Sequence, residues 1–426
     1  MTAEVAILNK QSVALAADSA VTTSDLKIFN TAKLFALSKQ EPVGIMAYSS
    51  AEVMGVPVET VIKEFRRIRG PQRWDHLEQY AEDFARFLRE DDRVFSKDGR
   101  VLSLSTLACG LINEIYRRTG DKLMRDQVWG HPTKKDAQDA LSDAIADVEQ
   151  RVEGAGVVQV AQPRKARSLV SEAIDKELTE ALGELKKRLP VSTRAEARIR
   201  KLVIDHFFRD VDADGETGFV IAGFGTADVF PRLRAFEFHY SALGLRKMRN
   251  YAEVDISLAH TAQIIPFGQK DVMATFVEGI DPRYTEKLLS FIDTYLTDQK
   301  SMLLAETPPK VSEAMTMEAL GQELVQRLPG ALKGIANEAF VWPTMQVVAS
   351  MPKEELAILA EALVNLTALK RKASTDAETV GGPTDVAVIS KGDGFIWIKR
   401  KHYFDLKFNP AFVAGRIKES KHEDSA

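Results

Sequence analysis

The 426-residue sequence predicts an α+β protein. Three observations carry that expectation. Short apolar, strand-like runs crowd the first fifty residues, a strand-turn-strand pattern stands near the C-terminus, and long charged stretches with helical spacing separate them. Strands gathered in blocks and helices gathered in blocks point to antiparallel sheets rather than to an alternating parallel α/β fold.

Taken in order, the first four strands are read at Ala3-Glu4-Val5-Ala6-Ile7-Leu8, Ser12-Val13-Ala14-Leu15-Ala16-Ala17, Lys27 through Leu37, and Val43 through Ala51. Val58, Val61, Ile62 and Phe65 then recur at helical spacing, predicting a first helix over 52–69 and a second over 74–89. From about 93 to 210 the chain reads as charged helix, with breaks at Gly130-His131-Pro132, Gly154-Ala155-Gly156 and Leu189-Pro190. Gly218 through Gly225 and Arg232 through Phe238 are two further strand-like runs. Helices are expected at 286–303, 315–328 and 353–372, with joints at Pro308-Pro309 and Pro329-Gly330. Thr384 through Ser390 and Phe395 through Ile398 flank Lys391-Gly392-Asp393-Gly394, a hairpin with turn chemistry in place. Residues 418–426 are polar and expected to be disordered.

Composition excludes several classes of function. With 45% hydrophobic and 28% charged residues, and no apolar run near 20 residues, the chain is expected to be globular and cytoplasmic, with no membrane partner. A net charge of −4 and basic runs balanced by nearby acids give no nucleic-acid surface. The single cysteine, Cys109, allows no intramolecular disulfide and reads as a packed helix residue. Seven histidines, His76 and His239 among them, show no metal-ligand spacing. Asp210 through Gly215 copies half of a calcium loop, but Ile221 stands where the bidentate Glu belongs, so an acidic turn is expected and no metal. Gly223-Phe224-Gly225 is too short for a dinucleotide fingerprint, and no cofactor is expected.

Chemistry concentrates at the N-terminus. Removal of Met1 would leave Thr2 with a hydroxyl beside a free α-amine, and such an amine, with an ordinary pKa of roughly 7.7–8.0, is a fair base near neutrality. Only removal of that methionine is expected to be needed for Thr2 to mature. Thr2, the Asp18 that follows the second strand, and Lys33 at the start of the third resemble the opening of the proteasome β subunit, an N-terminal nucleophile hydrolase. Ser374 through Pro383, leading into Thr384-Asp385-Val386-Ala387-Val388-Ile389, is similar to that family's C-terminal block, with Asp376 and Thr379 in place of its supporting Asp and Ser.

The resemblance implies a four-layer αββα sandwich with large helical insertions. It implies amide hydrolysis through Thr2, with Lys33 tuning the amine, Asp18, Asp376 and Thr379 in support, and a backbone N–H at Ser49 or Ser50 as oxyanion donor. Self-association as a ring and peptide or protein substrates follow from it too; no unfoldase partner is identified. One departure weakens it: Phe267-Gly268-Gln269 stands where the family has Ser-Gly-Ser. Two alternatives therefore stand beside a peptidase, namely a non-catalytic ring or scaffold subunit and a small-molecule amidase. The expected divisions are 1–92, the start of the sandwich; 93–212, a helical insertion; 213–280, its central hairpin and helix; 281–373, a further helical segment; 374–417, its C-terminal hairpin; and the tail, 418–426.

Overall fold

The computed structural model describes residues 2–22, 27–125, 133–158, 160–211, 216–305, 311–374, 381–402 and 404–409. The chain begins with strands β1 (Ala3–Asn9), β2 (Ser12–Ala17), β3 (Ala20–Thr22), β4 (Ile28–Asn30), β5 (Leu34–Ala36), β6 (Val43–Ser49), β7 (Glu52–Val53) and β8 (Val56–Pro57). Helices α1 (Val58–Arg69), α2 (Leu77–Glu90), α3 (Lys97–Arg125), α4 (Lys134–Gly154), α5 (Pro163–Arg188) and α6 (Thr193–Phe207) follow. Next come β9 (Thr217–Gly223), β10 (Arg232–Ala242), β11 (Leu245–Asp255) and β12 (Ala262–Gly268), then α7 (Asp271–Glu278), α8 (Pro282–Ala305), α9 (Val311–Ala336), α10 (Trp342–Ser350) and α11 (Lys353–Lys372). The last strands are β13 (Asp385–Ser390) and β14 (Gly394–Lys399). The protein is a mixed α/β structure with antiparallel sheets.

The chain divides into two compact units. The first comprises residues 1–34 and 256–426. Its five-stranded sheet runs β12-β1-β2-β13-β14, so the two ends of the sequence pair side by side. Alternation along β1 sends Ala3, Val5 and Ile7 to one face, where they pack with Ala14, Ala16, Val386 and Val388 against Met273, Val348, Leu356, Ala360 and Val364 of α7, α10 and α11. Alanines on both the strands and α11 let the helix approach closely. Glu4, Ala6 and Leu8 take the opposite face.

The second unit spans 35–255, with sheet order β11-β10-β9-β6-β5. Phe65 of α1 meets Phe84 and Phe87 of α2 edge-on, and Phe84 in turn meets Phe219 of β9 edge-on and Phe236 of β10 at a tilt, with ring centroids 5.0–6.5 Å apart. Leu111, Ile145, Ile174 and Phe207 lie in the core of its helical part. The Tyr240 hydroxyl donates to the Phe207 carbonyl at 2.7 Å, tying β10 to the end of α6.

Several elements differ from expectation for local reasons. The helix expected from Glu52 begins at Val58, because Met54 (φ 47°) and Gly55 (φ 78°) turn β7 back onto β8. Pro329-Gly330, expected as a joint, lies inside α9, whose packing along α8 carries the helix past the missing N–H; a π-turn at Asn337–Val341 follows. Strand β11 escaped notice because half of its residues are polar; the Leu243-Gly244 turn, with φ of 52° and 82°, folds it onto β10. Of the acidic turn expected over Asp210 through Gly215, residues 212–215 lie outside the described residues.

Candidate active site

Thr2 lies at the head of β1 in the first unit, buried at the end of the β1-β12 ladder, where Ala3 pairs with Gly268. The Gln269 N–H donates to the Thr2 carbonyl at 2.7 Å. Gly268 has a φ of +71°, and a Cβ there would lie 2.2 Å from the Thr2 carbonyl oxygen and 2.7 Å from Thr2 Oγ1. Only glycine lets this backbone lie so close to the threonine.

Asp18 follows β2 and makes a two-sided clamp. Its N–H donates to the Ala3 carbonyl at 3.0 Å, and its Oδ1 accepts from the Ala3 N–H at 3.1 Å, so both polar groups of the residue after Thr2 are held by one side chain and its backbone. Lys33 Nζ donates to the same Oδ1 at 2.6 Å and to the Ala20 carbonyl at 2.7 Å. Oδ2 accepts from the Gly381 N–H at 3.0 Å, and the Gly381 carbonyl in turn accepts from Ser19 and Ala20. The ion pair is almost wholly buried, with side-chain exposures of 4% and 1%. Burying two charges is costly, and here the cost is met by direct pairing plus three further hydrogen bonds. One ammonium proton of Lys33 has no acceptor among the described residues.

Glu4 was not singled out from the sequence. It lies fully buried in the middle of an apolar strand, opposite Ala17 and Phe267, and both carboxylate oxygens lack a hydrogen-bond partner among the described residues. Burial pushes its carboxyl well above the ordinary range; the Lys33 charge opposes that and the Asp18 charge adds to it. The available signal was a lone acid within Ala3-Glu4-Val5-Ala6-Ile7-Leu8.

Phe267 and Gln269, which replace the expected serines, offer no hydroxyl. Phe267 is fully buried, and the Gln269 side-chain carbonyl accepts from the Arg371 guanidinium, which also reaches Asp271 at 3.1 Å. Arg371 thus holds the turn between β12 and α7.

The other expected site residues lie outside this unit or outside the described residues. Asp376 and Thr379 lie outside the described residues. Ser49 and Ser50 belong to the second unit, at the end of β6. Ser49 adopts a φ of 73°, the left-handed region where glycine is usual, and the Ser50 N–H donates to the Tyr48 carbonyl at 3.1 Å. The Ser49 hydroxyl faces Glu216, and the Ser50 hydroxyl donates to the Glu52 carbonyl at 2.9 Å.

Elsewhere, Cys109 is half-buried on α3, and burial, with Glu177 and Glu180 nearby, pushes its thiol up, which disfavours the reactive thiolate. His76 pairs with Asp228 at 2.8 Å. Among the described residues there is no cluster of three or more potential metal ligands, and no helix is long and apolar enough to cross a membrane.

No family model matches the sequence, and neither does any curated protein. Among solved structures, an Anbu mutant from Hyphomicrobium sp. strain MC1 is similar at 10% identity with a TM-score of 0.31, over 100% of this chain and 98% of its own. Anbu, an ancestral beta-subunit, from Yersinia bercovieri aligns at 9% identity and a TM-score of 0.28, covering 98% and 96%. The Anbu complex of Pseudomonas aeruginosa, described as a helical assembly, aligns at 9% identity and a TM-score of 0.27, covering 99% and 96%. Likeness at this level shows neither family nor activity. It does overturn the assignment to the proteasome β subunit drawn from Thr2, Asp18 and Lys33, because the similar structures are Anbu proteins, a different family.

Proposed function

We propose that this protein is an amide hydrolase whose nucleophile is the Thr2 hydroxyl, exposed for chemistry once Met1 is removed. The observation that supports it is the buried Lys33–Asp18 pair clamped onto Ala3, which holds a positive charge at a fixed place beside the head of β1. A lysine ammonium near an α-amine disfavours a second positive charge, so the Thr2 amine stays neutral and takes the hydroxyl proton as the oxygen attacks. The tetrahedral intermediate collapses as that proton passes to the leaving amine, and water then releases the acyl group from Thr2. Asp376 and Thr379 are proposed as supporting groups. Peptides or proteins are the proposed substrates.

Each unit contributes one five-stranded antiparallel sheet and its helices, the components of a four-layer αββα sandwich, and that sandwich is part of the proposal. So is self-association, supported by exposed Tyr284, Phe291 and Tyr295 on α8, a helix with no buried residue.

A second reading, a non-catalytic scaffold, is favoured by Phe267 and Gln269, which leave the position of the expected helical serines without a hydroxyl. One experiment separates the two. Protein with Met1 removal verified by intact mass is treated with a β-lactone, and the adduct is mapped in wild type and Thr2→Ala. Acylation at Thr2 that vanishes in the variant supports the hydrolase; a free Thr2 that never acylates supports the scaffold.

A further inference from the structure

Glu4 is two residues beyond Thr2, and strand alternation places both on the same side of β1. Its side chain is completely buried, yet neither oxygen has a partner among the described residues, an arrangement that natural interiors rarely tolerate without a reason. Its cross-strand neighbours, Ala17 on β2 and Phe267 on β12, bring no charge. One strand further, Asp385 of β13 occupies the same row, and its Oδ1 accepts from the Lys401 N–H at 2.7 Å. Glu4 follows Ala3 and its partner Ala17 precedes Asp18, so the Asp18 carboxylate that holds the Ala3 N–H and Lys33 lies one residue along both strands from Glu4, and the charges of Lys33 and Asp18 both reach its carboxyl. Lys33 gives two protons to Asp18 and to the Ala20 carbonyl and has a third to give.

We propose that Glu4 is a positioning residue for the Thr2 centre that acts through Lys33: as an uncharged acid it leaves the third ammonium proton to the Thr2 hydroxyl, and as a carboxylate it claims that proton. The balance is simple. Loss of the Glu4 proton to solvent turns a neutral neighbour into a second anion beside one ammonium, so the cluster of Lys33, Asp18 and Glu4 passes from net zero to net −1. The Lys33 charge that would favour a neutral Thr2 amine and stabilise the developing alkoxide is then neutralised. Acylation of Thr2 therefore depends on Glu4 remaining protonated, and it stops on the alkaline side for a reason unrelated to unfolding.

This inference rests on Thr2 being the nucleophile, and the test keeps the two ideas apart. The rate of β-lactone acylation at Thr2 is followed by intact mass from acid to alkaline pH in full-length, Met1-processed wild type, Glu4→Gln and Thr2→Ala. Infrared spectra of wild type and Glu4→Gln report the protonated-carboxyl C=O stretch. The wild-type rate is expected to rise as the amine loses its proton and then to fall by about tenfold per pH unit, as for a single titrating group, once Glu4 ionises. Glu4→Gln, isosteric and permanently neutral, keeps the rising limb and loses the falling one, and at neutral pH the infrared band is present only in wild type. Superimposable profiles of wild type and Glu4→Gln with Thr2 acylated in both overturn the role of Glu4 and leave the nucleophile standing. Equal labelling in Thr2→Ala overturns both.

Discussion

Replacing Gly268 by alanine tests whether the close approach of β12 positions Thr2. The added Cβ meets the Thr2 carbonyl oxygen at 2.2 Å, the Thr2 carbonyl carbon at 2.9 Å and Thr2 Oγ1 at 2.7 Å, all within hard contact. Gly394 provides the control: it lies in the same unit with a φ of +74° against +71°, and nothing within 4 Å would touch its Cβ. Both variants incur the left-handed backbone cost of about 1–2 kcal/mol. Only Gly268→Ala adds overpacking, typically about 1–3 kcal/mol, because backbone atoms cannot rotate away as a flexible side chain would. For a unit of about 200 residues, each kcal/mol lowers the melting temperature by about 2–4 °C, so Gly268→Ala should melt roughly 2–12 °C below Gly394→Ala. The larger effect is on chemistry: relief of the clash must move Thr2, and a misplacement of about 1 Å costs on the order of 100-fold in rate. Differential scanning calorimetry and the β-lactone acylation rate at Thr2 report the two effects. If Gly268→Ala melts and acylates like Gly394→Ala, β12 does not position the nucleophile, and the account of Gly268 is wrong.

Further outcomes follow from the buried groups. Lys33→Met should lose about 3–5 kcal/mol, since Asp18 stays buried without its counter-charge, and should abolish Thr2 acylation; thermal unfolding together with mass labelling checks both, and undiminished acylation would remove Lys33 from the mechanism. His206 in the second unit is held down to about 4 by burial and by the charges of Lys247 and Arg151. A base with a depressed folded pKa takes up its proton more readily when unfolded, so this residue costs no stability above about pH 6.5, and about 3 kcal/mol is lost as the pH falls from there to about 4. His206→Gln should flatten that segment of the stability profile of the second unit, measured by hydrogen exchange; an unchanged slope would mean His206 titrates normally.

Much of this site was legible in the sequence because its chemistry is local and ordered. Thr2, Asp18 and Lys33 fall just before β1, just after β2 and just before β5, and antiparallel pairing of β1 with β2 is enough to bring Asp18 beside Ala3. Glu4 was overlooked because an acid in a strand normally faces water; only the burial of both faces of β1 shows that this one does not. Gly268 was noted only as part of Phe267-Gly268-Gln269, and its close approach to Thr2 shows only in the fold; Arg371 was hidden because its partners Gln269 and Asp271 are about a hundred residues away.

By itself the sequence determined what repeats over a few residues: the alternation of β1, β2 and β13 and the helical spacing of the apolar residues of α1. The resemblance it suggested, to the proteasome β subunit, rested on the same short motifs and did not hold, since motifs of a few residues specify local geometry and many families share them. Tertiary structure alone decided that β12 pairs with β1 as the end strand of its sheet, that a proline is carried through α9, and that Glu4 is buried with neither oxygen partnered among the described residues. Those outcomes depend on desolvation and on contacts between residues distant in the chain, and neither quantity is written in a local pattern.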